Sequence, residues 1–403
     1  MNAIVTPAPL VGSVAALPSK SQAHRLLICA ALSNGTTRID TPCAGQDIAA
    51  TVRCLRALGA RLDGDGSGYT VTPIQTPPTT CLLDVGESGT TLRLLLPVVC
   101  ALGVRATFVL HGRLAQRPME PLWSELSRHG TKLSRGEATI EASGRLTGTA
   151  FTLAANVSSQ FLSGILLALP LLGGGVLHMD GTLESQGYVQ MTVDALRRFG
   201  ATAAWKNQTI YIEGALQSPG HCAVEGDWSN AAFWLCANAM GENQIALTGL
   251  DSASHQGDSA ILGAISAVQA GGARLDCRQI PDLVPPLAVL AALTPGQTQF
   301  CHAARLRLKE SDRLQACTLM IHALGGHAAQ SSDGFTVVGQ PWLSGGTVDS
   351  FRDHRIAMAA AIAATRCRKP VRILNAQAVE KSYAAFWEDY CRLGGSVAWE
   401  DAT

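Results

Sequence analysis

Apolar positions fall along the chain in helical and strand-like runs, and most helical runs start behind a small polar residue. Leu26, Leu27, Ala30 and Ala31 share one face of a helix opened by Pro18-Ser19-Lys20-Ser21, where Ser19 or Ser21 can cap. Lys20 sits at that mouth, and Ser21 and Arg25 lie one turn apart on the predicted polar face. Leu94-Leu95-Leu96 follow Gly86-Glu87-Ser88-Gly89-Thr90-Thr91-Leu92-Arg93, and Phe161 to Leu167 follow Ser158-Ser159-Gln160. Gln116-Arg117-Pro118-Met119 predicts an arginine just before a proline-led helix, and Glu184-Ser185-Gln186-Gly187-Tyr188 precedes a helix that ends at Gly200. Leu314, Cys317, Ile321 and Leu324 form another stripe at helical spacing, with Ser311 as its expected cap.

A second pattern lies over the first. An apolar helix end, one or two glycines and a strand start recur at Leu58-Gly59-Ala60, His129-Gly130-Thr131, Phe199-Gly200-Ala201, Gly271-Gly272-Ala273, Leu324-Gly325-Gly326 and Leu393-Gly394-Gly395. Glycine suits the left-handed turn that ends a helix. The intervals from Gly59 through Gly130, Gly200, Gly272 and Gly325 to Gly394 are 71, 70, 72, 53 and 69 residues. One such glycine means little, but regular spacing points to an internally repeated α/β architecture with three units to a domain.

Composition narrows the picture. A chain of 403 residues suggests two domains, and 47% hydrophobic with 15% charged residues is enough to bury large cores. Thirty-one basic residues balance 31 acidic ones, which argues against a general nucleic-acid or polybasic membrane role. Any anion chemistry must come from local clustering. Twelve cysteines occur without a C-x-x-C, and no H-E-x-x-H is present, so they read as core residues of a reducing cytosol, with neither disulfides nor metal expected. The first nineteen residues carry no basic residue and are not read as a signal peptide. Two charge-free stretches reach membrane length. Pro170 and Gly173-Gly174-Gly175 divide Leu146 to Met179 into a buried helix, a turn and a strand, and Pro285-Pro286 and Pro295-Gly296 break Leu283 to Ala304 into a short core helix and a turn. A soluble protein is expected.

The densest charge lies in Arg305 to Leu314, where Lys309, Glu310, Asp312 and Arg313 crowd four charges into five residues. Two cations beside a carboxylate at a helix mouth suit phosphate or carboxylate handling with proton transfer. Alone, the run reads better as a solvated helix start with an internal ion pair. Several mouths carrying Ser, Thr, Gly or a lone cation, in a repeat protein of zero net charge, shift the reading to a shared anionic site.

These segments resemble the 5-enolpyruvylshikimate-3-phosphate synthase family. The resemblance rests on Pro18-Ser19-Lys20-Ser21 with Arg25, Gly89-Thr90 with Arg93, Arg117-Pro118, Ser158-Ser159-Gln160, Ile280-Pro281-Asp282, Lys309-Glu310-Ser311-Asp312-Arg313, Asp353-His354-Arg355 and Lys381-Ser382-Tyr383. It runs almost end to end, with the motifs in the family's order. It implies an α/β fold, a two-domain inside-out α/β barrel built from six βαβαββ-type repeats, with the active site in the cleft between domains. Residues 18–224 would form one domain, and 1–17 with 225–403 the other.

The resemblance further implies transfer of the enolpyruvyl group of phosphoenolpyruvate to the 5-hydroxyl of shikimate 3-phosphate, with release of phosphate. Lys20, Ser21, Arg25, Ser158, Ser159, Gln160, Ser185, Asp282 and Lys309 would hold shikimate 3-phosphate. Lys20, Gly89, Arg117, Gln160, Arg313, Arg355 and Lys381 would hold phosphoenolpyruvate, Gly89 through its backbone N–H. Asp282 is the implied base and Glu310 the acid, with Lys20 or Lys381 sharing the proton work; His354 is given no catalytic role. No cofactor, metal, nucleic acid or membrane is implied, and a cytoplasmic monomer in which glyphosate competes with phosphoenolpyruvate is the expectation. Leu94 stands where the family often has proline, which bears on inhibitor sensitivity, and Arg305 where it often has asparagine, which bears on shikimate 3-phosphate binding.

Two rivals remain at this point. A sister transferase acting on a UDP-amino sugar carries a cysteine five residues before its arginine-proline pair, where this chain has Gly112. A non-catalytic binder of phosphorylated metabolites on the same fold would not need Asp282 and Glu310 beside the cations.

Overall fold

The computed structural model describes residues 1–42 and 45–401. The chain divides into two compact units, one of Met1–Leu17 with Gly226–Thr403 and one of Pro18–Glu225. Each has its own apolar core.

One pattern builds both units. Strand Thr80–Asp84 leads through helix Gly89–Leu102 to a parallel strand, Arg105–Val109. Helix Leu122–Arg128 then leads into the hairpin of Thr131–Arg135 and Thr139–Gly144, whose second arm returns antiparallel to Arg105–Val109. The crossover between parallel strands places a helix over the sheet, and alternate strand residues pack against it. The same β-α-β-α-β-β order recurs in the sheet from Ala150–Ala154 to Thr209–Glu213 and in that from Arg274–Asp276 to Gly334–Val338.

Two further sheets are completed from far along the chain. His221–Ala223 pairs parallel with Thr37–Asp40, and Asn2–Thr6 fills the hairpin position between Val371–Leu374 and Ser396–Glu400. Among the described residues the sixth sheet is only a parallel pair, Val11–Ala15 with Gln244–Thr248. Its hairpin is missing. Helix Ile261–Gln269 runs through Gly271-Gly272 straight into Arg274–Asp276, the first strand of the next sheet. That omission is why the interval from Gly272 to Gly325 is 53 residues rather than about 70.

All six spacing glycines have positive φ, from +67° at Gly272 to +102° at Gly59. A side chain is strained in that region, so glycine is required there to end each helix and start its strand. The apolar stretch from Leu146 holds helix Ser159–Ala168, a 3-10 turn at Leu169–Leu172 and strand Gly174–Asp180. Pro285 and Pro286 lie in the first turn of helix Val284–Ala292, so they open it rather than break it. Among the described residues no helix is long and apolar enough to cross a membrane. The eleven described cysteines are free thiols, and Cys43 lies outside the described residues.

Candidate functional site

In the Pro18–Glu225 unit Ser19, not Ser21, caps helix Lys20–Leu32 by accepting from Gln22 N–H at 3.4 Å. Lys20 is therefore the first helical residue, and its Nζ lies 3.0 Å from Asp47 Oδ2. Arg25 is not on a polar face: it is 2% exposed. Four of its N–H groups are engaged, with Ser21 O at 2.6 Å, Thr192 Oγ1 at 2.7 Å, Tyr188 O at 2.9 Å and Ser163 Oγ at 3.1 Å. Burial lowers its pKa to about 10, which leaves it charged at neutral pH.

Gly89 opens helix Gly89–Leu102 behind the Ser88 cap, which accepts from Thr91 N–H at 3.2 Å. A Cβ there would stand 2.7 Å from Arg117 Nη1 and 3.4 Å from Arg93 Nη1, so both guanidiniums lie over this mouth. Gln160 is clamped across it: Oε1 accepts from Arg93 at 2.8 Å and Nε2 donates to Thr90 Oγ1 at 2.9 Å. Pro118 does not lead a helix. Arg117 follows a 3-10 turn at Gly112–Gln116, and helix Leu122–Arg128 starts behind Pro121. Leu94 is fully buried, and Pro97 inside the same helix removes the N–H that would bond the Arg93 carbonyl. Gly164 abuts that carbonyl, where a Cβ would come within 2.3 Å. Ser158 caps helix Ser159–Ala168, accepting from Gln160 N–H at 3.3 Å, and Ser159 is its buried first residue. Ser185 is 2% exposed in the left-handed region, φ +56°, ahead of helix Gln186–Arg198. A buried serine in that conformation is held by its surroundings.

The Met1–Leu17 and Gly226–Thr403 unit gathers its charges around Asp282. Its Oδ1 is 2.6 Å from Arg313 Nη1, 3.3 Å from Lys309 Nζ and 3.6 Å from Arg355 Nε. Arg355 also donates to Asp282 O at 3.1 Å and to Ser229 Oγ at 2.7 Å. Arg313, 1% exposed, reaches Glu310 Oε2 at 2.9 Å and both oxygens of Asp353, at 2.8 and 3.3 Å. Burial disfavours the Arg313 charge, but Asp353, Glu310 and Asp282 outweigh it and raise its pKa. Burial likewise opposes ionisation of Asp353, yet Arg313 and His354 hold its carboxyl below the usual range. Lys309 is shifted down to about 8, chiefly by burial, with Asp282 opposing the shift.

Ser311 is not the cap of helix Arg313–Ala323. Asp312 is, accepting from Gln315 N–H at 3.1 Å, which frees the Ser311 hydroxyl to donate to buried Asp353 Oδ2 at 2.9 Å. Asp353 in turn caps helix His354–Ala364, accepting from Arg355 N–H at 3.0 Å. Lys381 ends a 3-10 turn, Ala376–Lys381, beside buried Ser382 and Tyr383. Asp47, Arg93, Thr90, Ser229 and Asp353 hold these groups in place. Sequence assigns them no role because, the local cap of Asp353 apart, their partners are remote in the chain.

Comparison with known proteins completes the description. The family model described as EPSP synthase (3-phosphoshikimate 1-carboxyvinyltransferase) matches residues 4–390. A relative from Clostridium acetobutylicum named 3-phosphoshikimate 1-carboxyvinyltransferase is 38% identical over 422 residues, covering 98% of each chain. One of the same name from Clostridium perfringens is 37% identical over 421 residues, covering 98% of this chain and 99% of its own. The fold superposes on an EPSP synthase from Acinetobacter baumannii with TM-score 0.82 at 22% identity, covering 100% of both chains. It also superposes on the enolpyruvyl transferase NikO from Streptomyces tendae with TM-score 0.76 at 19% identity, covering 100% of this chain and 99% of that one. At those identities the structures speak to fold alone.

Proposed function

The chain belongs to the EPSP synthase family, and from that premise we propose how its own residues divide the work. The reaction is transfer of the enolpyruvyl group of phosphoenolpyruvate to the 5-hydroxyl of shikimate 3-phosphate, releasing phosphate, a step of the shikimate pathway toward aromatic amino acids. The observation that carries the assignment of roles is the convergence of Lys309, Arg313 and Arg355 on Asp282.

Asp282 is the base that takes the 5-hydroxyl proton. A carboxylate encircled by cations puts the proton acceptor where anionic substrates are drawn in. The incoming phosphate and carboxylate groups engage those cations and release Asp282 to its task. Lys309 contacts shikimate 3-phosphate from this unit, and Arg313, Arg355 and Lys381 contact phosphoenolpyruvate. Glu310 delivers a proton to the methylene carbon as the 5-oxygen adds and takes one back as phosphate leaves and the double bond re-forms, with Lys20 or Lys381 sharing the work, and must first exchange its bond to Arg313.

From the Pro18–Glu225 unit, Ser21, Arg25, Ser158, Ser159, Gln160 and Ser185 bind shikimate 3-phosphate. Lys20 and Gln160 serve both substrates, and Gly89 N–H with Arg117 binds phosphoenolpyruvate at a helix mouth, where the partial positive charge favours an anion. The enzyme works as a cytoplasmic monomer. Phosphate release requiring both substrates tests the reading. Release from phosphoenolpyruvate with a UDP-amino sugar in place of shikimate 3-phosphate would overturn it, as would binding of both ligands without turnover.

A further inference from the structure

A buried chain of hydroxyls links three helices beneath Lys20 and Gly89. Lys20 and His24 lie one turn apart on helix Lys20–Leu32, and Asp47 and Thr51 one turn apart on helix Gln46–Ala57. The pairs meet as two rungs, Lys20 Nζ to Asp47 Oδ2 at 3.0 Å and His24 Nδ1 to Thr51 Oγ1 at 2.7 Å. Thr51 Oγ1 lies 2.8 Å from Thr91 Oγ1 on helix Gly89–Leu102. Thr91 Oγ1 also lies 2.8 Å from Ser88 Oγ, the cap of that helix, and 3.3 Å from Asp47 O. His24, Thr51 and Thr91 are fully buried and Ser88 is 1% exposed.

The chemistry of the ends sets the direction of the chain. Thr91 Oγ1 is the donor toward Ser88 Oγ and the Asp47 carbonyl, so its one proton points to that end, Thr51 donates to Thr91, and His24 Nδ1–H donates to Thr51. His24 Nε2 is then a bare acceptor with no partner among the described residues. The reverse direction would bury an unpaired N–H instead, which native structures avoid more strictly. Burial keeps the imidazole neutral, in line with a pKa lowered to about 3.

We propose that Thr51 is a positioning residue for phosphoenolpyruvate, fixing the Lys20 ammonium and the Gly89 helix mouth relative to each other through His24 and Thr91. The proposal rests on the assignment of Lys20 and Gly89 to that substrate. Thr51 touches no ligand itself; its single hydroxyl joins the helix carrying Lys20 to the helix carrying Gly89. Asp47, one turn earlier on the same helix, aims the ammonium that this bond registers.

Two substitutions at one position separate positioning from packing. Thr51→Val keeps the shape and removes the hydroxyl; Thr51→Ser keeps the hydroxyl and removes a methyl from the core. We expect Thr51→Val to raise KM for phosphoenolpyruvate about tenfold, with kcat and KM for shikimate 3-phosphate within about threefold, and Thr51→Ser to stay within about twofold of wild type although its melting temperature falls. A wild-type KM in Thr51→Val, or a KM that follows melting temperature across both variants, overturns the proposal. Should Thr51→Val not fold, Thr91→Val cuts the same chain one bond further on and is judged by the same split. Lys20→Met runs alongside. If it leaves KM for phosphoenolpyruvate unchanged, the assignment of Lys20 fails and the proposal with it; if it raises KM while Thr51→Val does not, only the proposal fails.

Discussion

The two units hold their key arginines by opposite means. Arg25 donates to the Ser21 and Tyr188 carbonyls and to the Thr192 and Ser163 hydroxyls, all neutral. Arg313 contacts Asp282, Glu310 and Asp353, all carboxylates. Neutral dipoles orient a guanidinium and leave its charge to act on whatever arrives. Three carboxylates instead offset that charge, so an anion approaching Arg313 must replace a partner already in place. The first arrangement suits capture and the second suits exchange. In our reading the exchange is useful, because the partners displaced are the proposed base and acid.

The largest expected effect breaks the exchange side. Asp282→Ala should lower kcat on the order of 10²–10⁴-fold, the usual yield of a general base, and change the Kd of shikimate 3-phosphate less than tenfold. Turnover by phosphate release and binding by calorimetry separate the two. Turnover within a few-fold of wild type would remove Asp282 from the role of base.

Stability should show the same contrast, somewhat smaller. Asp353 is fully buried against Arg313, so Asp353→Asn leaves a buried guanidinium short of its counter-charge and should cost about 3–5 kcal/mol. Thr192→Val removes one hydroxyl from Arg25, which keeps three bonds, and should cost about 1–2 kcal/mol. Denaturant titration of both variants decides. Equal losses would mean that the chemistry of the partner does not matter here.

Sequence carried the fold further than it carried the site. Left-handed turns demand glycine, so the repeat shows in Gly59, Gly130, Gly200, Gly272, Gly325 and Gly394. The short interval was visible too. Its cause was not, because a missing hairpin leaves no residue behind to read. Within the site, the charged run from Lys309 to Arg313 was legible as a cluster. Its closure on Asp282, 27 residues before Lys309, depends on tertiary contact. Local capping rules were ambiguous wherever two candidates adjoined. Asp312 caps in place of Ser311 because Ser311 has a buried carboxylate to serve, and that partner is 42 residues away. Arg25 looked exposed because helical periodicity places residues on faces without saying what covers each face. Here the cover includes Thr192 and Ser163, from other helices.

A pH experiment sharpens the contrast further. Lys309 titrates near 8 in the folded chain against an ordinary 10.5, because burial disfavours its charge. Between those values the unfolded chain binds more protons, so this group makes stability rise with pH from about 8 to 10.5. Binding of shikimate 3-phosphate runs the other way. As pH rises through about 8 the ammonium is lost, and affinity should fall about tenfold. Arg25 stays charged over most of that range, so its contribution should not follow. Calorimetric Kd values from pH 7 to 9.5 should show the fall in wild type and lose it in Lys309→Met. A fall that persists in the variant would assign the titration to another group.

The smallest effect concerns how a methyl group at the Gly89 mouth would act. Glyphosate is expected to compete with phosphoenolpyruvate there, and the simplest view has an added methyl clash with whichever ligand is bulkier. The geometry favours a different route. The Cβ of Gly89→Ala would stand 2.7 Å from Arg117 Nη1, and the far end of a flexible side chain yields more readily than backbone. Arg117 would swing by more than about half an ångström to restore an ordinary contact, weakening substrate and inhibitor through one shared cation. Gly89→Ala should then raise KM for phosphoenolpyruvate about fivefold, on the order of 1 kcal/mol, and raise the glyphosate inhibition constant similarly. The decisive measurement is a double-mutant cycle with Arg117→Ala. If the methyl acts through Arg117, adding Gly89→Ala to the Arg117→Ala background should change KM by less than about twofold. A full fivefold change in that background would restore the direct clash between methyl and ligand, and a loss confined to glyphosate would do the same.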